Sequence, residues 1–154
     1  MKLLREILYK VEINSVVGNT SLSINKIEFD SRLISDGDMY IAITGVNVDG
    51  HSFISQAIKN GANCIVCEKI PDNKTDGVVY VNVKSSRKAL AIISSNYFDN
   101  PSSKLNLIGV TGTNGKTTIA TLLFDLYTEL EIKSGLISTV KISYDNKNFQ
   151  ANQT

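Results

Sequence analysis

The sequence predicts the α/β class, with a small amino-terminal α/β domain followed by the first βαβ part of a second domain. Three observations predict it. Short runs of β-type residues alternate with helical spacings as far as residue 101. Asp99-Asn100-Pro101-Ser102-Ser103 then interrupts the pattern, because proline and small polar residues stop a helix and favour an exposed connection. Beyond it, an apolar run from Leu105 to Val110 leads into a glycine-containing turn and then an amphipathic run, Ile119 to Leu130. The expected domains are therefore 1–101 and 102–154.

Each element has its own signal. Met1 to Leu8 reads as a short amphipathic helix, since Glu6 interrupts its apolar residues and no small-residue cleavage site follows. Ser23 to Phe29 reads as a strand, with Asp30-Ser31-Arg32 at its end. Asp36-Gly37-Asp38 is a turn whose acids are turn formers, and Met39 to Ile43 is a strand of β-type residues. Thr44 to Ser52 is a loop. Phe53, Ile54, Ala57 and Ile58 have helical spacing, which Gly61 terminates. Strands are expected at Cys64–Cys67 and 78–83, with a polar loop containing Pro71 between them. Ser85 opens a helix running to about Phe98, with Leu90, Ile93 and Tyr97 on one face and Arg87-Lys88 on a solvated one. Past the second helix, Lys133 to Ile137 is a strand. Thr139 to Tyr144 and Phe149 onward flank Asp145-Asn146-Lys147-Asn148 as a hairpin.

The turn between the apolar and amphipathic runs carries the chemistry. It reads Gly112-Thr113-Asn114-Gly115-Lys116-Thr117-Thr118. Glycines let backbone N–H groups converge on an anion, and the helix start adds open donors and a positive dipole end. Lys116 would reach the outer phosphates of a nucleotide triphosphate, and the Thr117 hydroxyl would hold Mg2+. A nucleotide triphosphate with Mg2+ is thus the expected ligand. The motif is the shorter G-x-x-G-K-T: the usual early glycine is replaced by Val110. The competing reading is an ordinary glycine turn with Lys116 in solvent.

Composition bounds the rest. The chain has 154 residues, 42% apolar and 20% charged, with a net charge of +1. That balance gives no electrostatic footprint for nucleic acid. No apolar run is long enough to cross a bilayer, so no membrane insertion is expected and the cytoplasm is the default. Cys64 and Cys67 are spaced C-x-x-C but flank Ile65-Val66 in an expected buried strand, so core packing is favoured over redox or zinc use. Asp30 is read as a turn or cap residue, and Arg32 as pairing with a nearby acid or touching a ligand. His51 is read as a cap of the helix at Phe53 or as solvated, with no acid/base partner in view.

Several separated segments resemble the Mur ligases of peptidoglycan synthesis. Phe29-Asp30-Ser31-Arg32, Gly37 to Ala42, Asp49-Gly50-His51-Ser52-Phe53 and Gln56 to Ala62 are similar to that family's amino-terminal uridine-nucleotide domain. Gly109 to Thr118 is similar to its ATP loop, which also lacks the early glycine. The likeness runs over nearly the whole chain in the family's own order. Within the family, the loop is most similar to the enzyme adding the third amino acid, meso-diaminopimelate or L-lysine, to UDP-MurNAc-L-Ala-D-Glu. The member adding D-alanyl-D-alanine is the nearest competitor, and a non-catalytic UDP-sugar-binding module is the alternative of another class.

The resemblance implies roles for particular residues. Gly112, Thr113, Asn114, Gly115, Lys116, Thr117 and Thr118 would bind ATP, with Lys116 catalytic and Thr117 at the metal. Phe29, Ser31, Val46, Asn47 and Val48 would bind the uridine part of UDP-MurNAc-dipeptide. Asn152, Gln153 and Thr154 would meet its muramoyl-dipeptide part. It further implies that the chain is the front of a longer enzyme, inactive without carboxy-terminal domains of the same protein that carry the diamino-acid site.

Overall fold

A computed structural model describes residues 1–45, 48–145 and 147–150. The chain divides after Leu105 into two units, Met1–Leu105 and Asn106–Thr154. The division lies four residues past the expected cut, because Pro101–Lys104 forms one further 3-10 turn.

The first unit is built around three central strands buried on both faces. β1 (Lys2–Leu3) pairs antiparallel with β3 (Ser23–Ile24) as a small separate ribbon. The main sheet contains β2 (Ile13–Val17), β4 (Ile27–Glu28), β5 (Met39–Ile41), β6 (Cys64–Cys67) and β7 (Val79–Val83) in the order β2-β7-β6-β5-β4. β4 to β7 run parallel and β2 closes one edge antiparallel. Strand residues alternate between two apolar layers. Met39, Ile41, Cys64, Val66, Val79, Val81 and Val83 join Leu4 and Ile7 of α1 (Leu4–Ile7) and Ala89 and Ile93 of α3 (Ser86–Tyr97). Tyr40, Ala42, Ile65, Cys67 and Tyr80 join Ile54 and Ala57 of α2 (Ile54–Lys59). A parallel sheet with both faces covered accounts for the near-continuous apolar runs of β5 to β7.

The two cysteines fall into different layers. Three residues apart on a strand, their side chains point to opposite faces, so they can share neither a disulfide nor a metal. Burial pushes both thiols up, Cys67 to about 11 and Cys64 further, with the neighbouring Cys67 adding to the shift of Cys64. Both thiols are expected to resist a thiol reagent such as DTNB at pH 8 in the folded chain and to react only in denaturant. Fast native-state labelling of either would contradict this placement.

Several sequence expectations are corrected here. The first eight residues are not one helix: Lys2-Leu3 pair as a strand, and the helical turn begins at Leu4, where Leu4 and Ile7 are drawn into the core. The single strand expected from Ser23 to Phe29 is two. Asn25 leaves one ribbon by donating its N–H to Gly37 O and its side-chain amide to Asp36 O, and Ile27 enters the main sheet. β2 carries no clean alternation because it is an edge strand with all five residues exposed, and its register also shifts between Ile13 and Ser15. Helix α3 begins as expected. Ser85 caps it by accepting from the Lys88 N–H, while Glu68 Oε1 accepts from the Ser86 N–H at 2.9 Å.

In the second unit, α4 (Lys116–Glu129) is followed by an antiparallel meander of β8 (Gly135–Ile137), β9 (Lys141–Tyr144) and β10 (Lys147–Gln150). The hairpin reverses at Asp145, which has φ +48°. The strand expected over Leu105–Val110 is not formed. A strand exists only through a neighbour's hydrogen bonds, and no described strand pairs with this run.

Candidate functional site

The glycine turn has the backbone its sequence calls for. Gly112 has φ +149° and Gly115 φ +78°, the latter as the residue capping α4. A side chain at Gly115 would meet no atom within 4 Å, so it is the left-handed backbone and not crowding that requires glycine there. No side chain caps α4, and its first backbone bond runs from Ile119 N–H to Gly115 O. By helix geometry the N–H groups of Lys116, Thr117 and Thr118 are therefore open. Lys116 folds back over the turn, donating from Nζ to Gly112 O and, at 3.1 Å, to Thr113 O. An ammonium and three open amides at one exposed helix start form a cradle suited to polyphosphate. Thr117 is half-buried beside it and offers one hard oxygen to a cation. Among the described residues no group of three or more His, Cys, Asp or Glu gathers to hold a metal. A magnesium ion fits only as Mg2+ ordinarily binds, through one or two protein oxygens, water and phosphate.

The residues expected at the uridine site lie in the first unit. Phe29 and Ser31 follow β4, and Val48 lies in the connection after β5, so all three belong to loops leaving the carboxyl ends of parallel strands. That edge is where open α/β sheets bind ligands. Phe29 is 50% and Val48 57% exposed, while Ser31 is buried. Val46, Asn47, Asn152, Gln153 and Thr154 lie outside the described residues.

Asp30 and Arg32 do what their spacing allows. Asp30 caps the 3-10 turn Ser31–Leu33 by accepting from the Arg32 N–H at 3.0 Å. Its carboxylate also takes a fork from the same guanidinium, Nε at 2.9 Å and Nη2 at 2.7 Å. The side-chain bond from Arg32, then its backbone N–H, hold the Asp30 carboxyl down at about 2. With the folded value below the ordinary one, the fork's stabilisation is complete above roughly pH 4 and is lost as pH falls through about 2. Carboxyl-detected NMR should place the Asp30 midpoint near 2; a midpoint near 4 would show the fork absent in solution.

His51 is neither a plain cap nor solvated. Asp49 caps the 3-10 turn Gly50–Phe53 by accepting from the His51 N–H. The His51 ring spans a wider gap: Nδ1 lies 2.7 Å from Asp49 Oδ1, and Nε2 accepts from the Glu68 N–H at 2.9 Å. Tyr40 donates to Gly50 O at 2.9 Å from inside the second core layer, and its burial pushes the phenol up to about 12. Arg87, expected on a solvated face, donates to Thr44 O at 3.3 Å. Glu68 was not singled out from the sequence. Its contacts reach 17 and 18 residues away, and no local pattern reveals them.

Known proteins are similar to this chain in sequence. The profile described as "Mur ligase family, catalytic domain" matches residues 23–98, all within the first unit. A protein from Cytophaga hutchinsonii named UDP-N-acetylmuramoyl-L-alanyl-D-glutamate--2,6-diaminopimelate ligase is 47% identical over 98% of this chain and 31% of its own length. Proteins of the same name from Phocaeicola vulgatus and Clostridium tetani are each 42% identical, over 89% and 98% of this chain and 28% and 32% of their own lengths. The chain thus spans about a third of the relatives it matches. Among solved structures, MurF from Acinetobacter baumannii superposes with a TM-score of 0.61 at 23% identity, covering 84% of this chain and 28% of that one, a likeness of fold. MurF ligase from Thermotoga maritima in complex with ADP gives a TM-score of 0.53 at 32% identity over 68% of this chain and 23% of that one. By the matched profile and these relatives, the chain belongs to the Mur ligase family.

Proposed function

We propose that the chain is the amino-terminal part of an ATP-dependent ligase that adds 2,6-diaminopimelate to UDP-N-acetylmuramoyl-L-alanyl-D-glutamate in the cytoplasm, as a step of peptidoglycan synthesis. The observation that carries this reading is the 47% identity, over 98% of the chain, to a protein bearing that name. The glycine turn supports it. A carboxylate is a poor electrophile, because its charge is delocalised and repels a nucleophile. Transfer of the ATP γ-phosphoryl group to a carboxylate oxygen breaks the β–γ bridge, releases ADP and leaves an acyl phosphate. The amine of the diamino acid then attacks the acyl carbon, phosphate departs, and the amine gives up a proton. Lys116 and the open amides of Lys116, Thr117 and Thr118 are suited to hold the phosphates and stabilise the charge gathered during transfer. A magnesium ion beside Thr117 would supply further neutralisation of phosphate charge.

The test is amide formation from UDP-MurNAc-dipeptide, Mg-ATP and diaminopimelate. The intact enzyme is expected to form UDP-MurNAc-tripeptide and ADP, and residues 1–154 alone none. Turnover by the short chain would refute the part of the proposal that places needed machinery elsewhere. The named fold neighbours give a second reading, a D-alanyl-D-alanine-adding ligase. An intact enzyme that ignores the dipeptide substrate but extends the tripeptide with D-Ala-D-Ala would favour it. Calorimetry on the intact protein addresses the non-catalytic alternative: uridine-ligand binding without Mg-ATP affinity would favour a UDP-sugar-binding module.

A further inference from the structure

The loop leaving β5 is fastened at its base by one imidazole. Thr44 and Asp49 form an antiparallel bridge, and Gly45 N–H donates to Val48 O at 2.9 Å. On one side the loop is pinned to its own strand: Gly50 N–H donates to Ile43 O at 2.9 Å, and a Cβ at Gly50 would lie 2.7 Å from Ile43 N. On the other side stands His51, its side chain only 16% exposed. Asp49 Oδ1 is the shared node, accepting from the His51 N–H at 3.0 Å and from Thr44 Oγ1 at 3.4 Å, with His51 Nδ1 at 2.7 Å. The far ring nitrogen accepts the Glu68 N–H at the end of β6, and the Glu68 carboxylate in turn caps α3 at Ser86. Because Nε2 accepts, it carries a lone pair, and the ring proton belongs on Nδ1, directed at Asp49.

We propose that His51 is a positioning residue for the uridine-nucleotide site, fixing the Val48-bearing loop against β6 through Asp49 and Glu68. This deepens the reading above and rests on its assignment of the uridine ligand to this edge. The link requires a rigid group that donates at one end and accepts at the other. Lysine and arginine can only donate, and a carboxylate can only accept. Neutral imidazole does both, and neither contact touches substrate.

The test is calorimetry of the intact enzyme with UDP-MurNAc-dipeptide, beside a thermal melt, for wild type, His51→Ala and His51→Asn. Affinity is compared at a temperature where circular dichroism shows each protein folded. His51→Ala is expected to bind about tenfold more weakly, the scale of one lost hydrogen bond to a charged group. His51→Asn keeps a donor for Asp49 but has no acceptor reaching Glu68, so it should fall between the two. Rescue of affinity by asparagine separates positioning from mere stability. Wild-type affinity in a folded His51→Ala, even with a lowered melt, overturns the proposal. Should His51→Ala not fold, wild-type affinity in His51→Asn overturns it instead. A wild-type intact enzyme that does not bind the dipeptide overturns the uridine reading and this proposal with it, an outcome distinct from binding that His51 does not affect.

Discussion

Lys116→Ala in the intact enzyme is expected to lower turnover at least about a hundredfold, since one donor to developing charge is worth about 2.7–4 kcal/mol of barrier. Steady-state ADP release with UDP-MurNAc-dipeptide and diaminopimelate is the measurement. The direction follows from geometry. In the free chain Nζ rests on Gly112 O and Thr113 O, so the ammonium already lies over the turn where phosphate would settle. Its removal leaves backbone amides that orient phosphate but supply no formal charge. The melting temperature should barely move, because Lys116 is exposed and belongs to no core layer. A variant that retains a tenth or more of wild-type turnover would show that the turn works without its lysine.

Ile65→Ala is expected to cost about 2–5 kcal/mol, the usual range for deleting a buried aliphatic side chain. Ile65 is fully buried in β6, with β5 and β7 on either side, and faces the layer that contains Tyr40, Tyr80 and Ala57. Its loss opens a void in the layer beneath α2. For a unit of this size that corresponds to a drop of roughly 10 °C or more in Tm. Scanning calorimetry or a denaturant midpoint would read it. A drop under about 3 °C would mean that the layer closes over the gap.

How much of this was legible depended on whether the signal was local. Met39-Tyr40-Ile41-Ala42 and Cys64-Ile65-Val66-Cys67 announced buried strands because every position is apolar, and each alternates between the two layers as found. Gly112 and Gly115 announced a tight turn ahead of a helix, and the left-handed backbone at Gly115 suits glycine. Ser85 announced the start of α3 through its own side chain. Signals that need a distant partner were mute. β2 left no pattern because none of its residues is buried, and Leu105–Val110 read as a strand because apolar residues do not reveal whether a neighbour will pair with them. Asp-Gly-His gave no reading of Asp49 as a cap, although its carboxylate stands only two residues before the N–H that it accepts. The far partner of His51, the Glu68 amide, became visible only once β6 lay beside β5.

The opposed, shut-in sulfurs of β6 have a practical corollary. With Cys64 and Cys67 sealed in separate layers, a cysteine placed at Val48 would be the one thiol that a maleimide dye could readily reach. A fluorophore there would test whether a uridine sugar arrives at that rim, without any need to strip the native cysteines first.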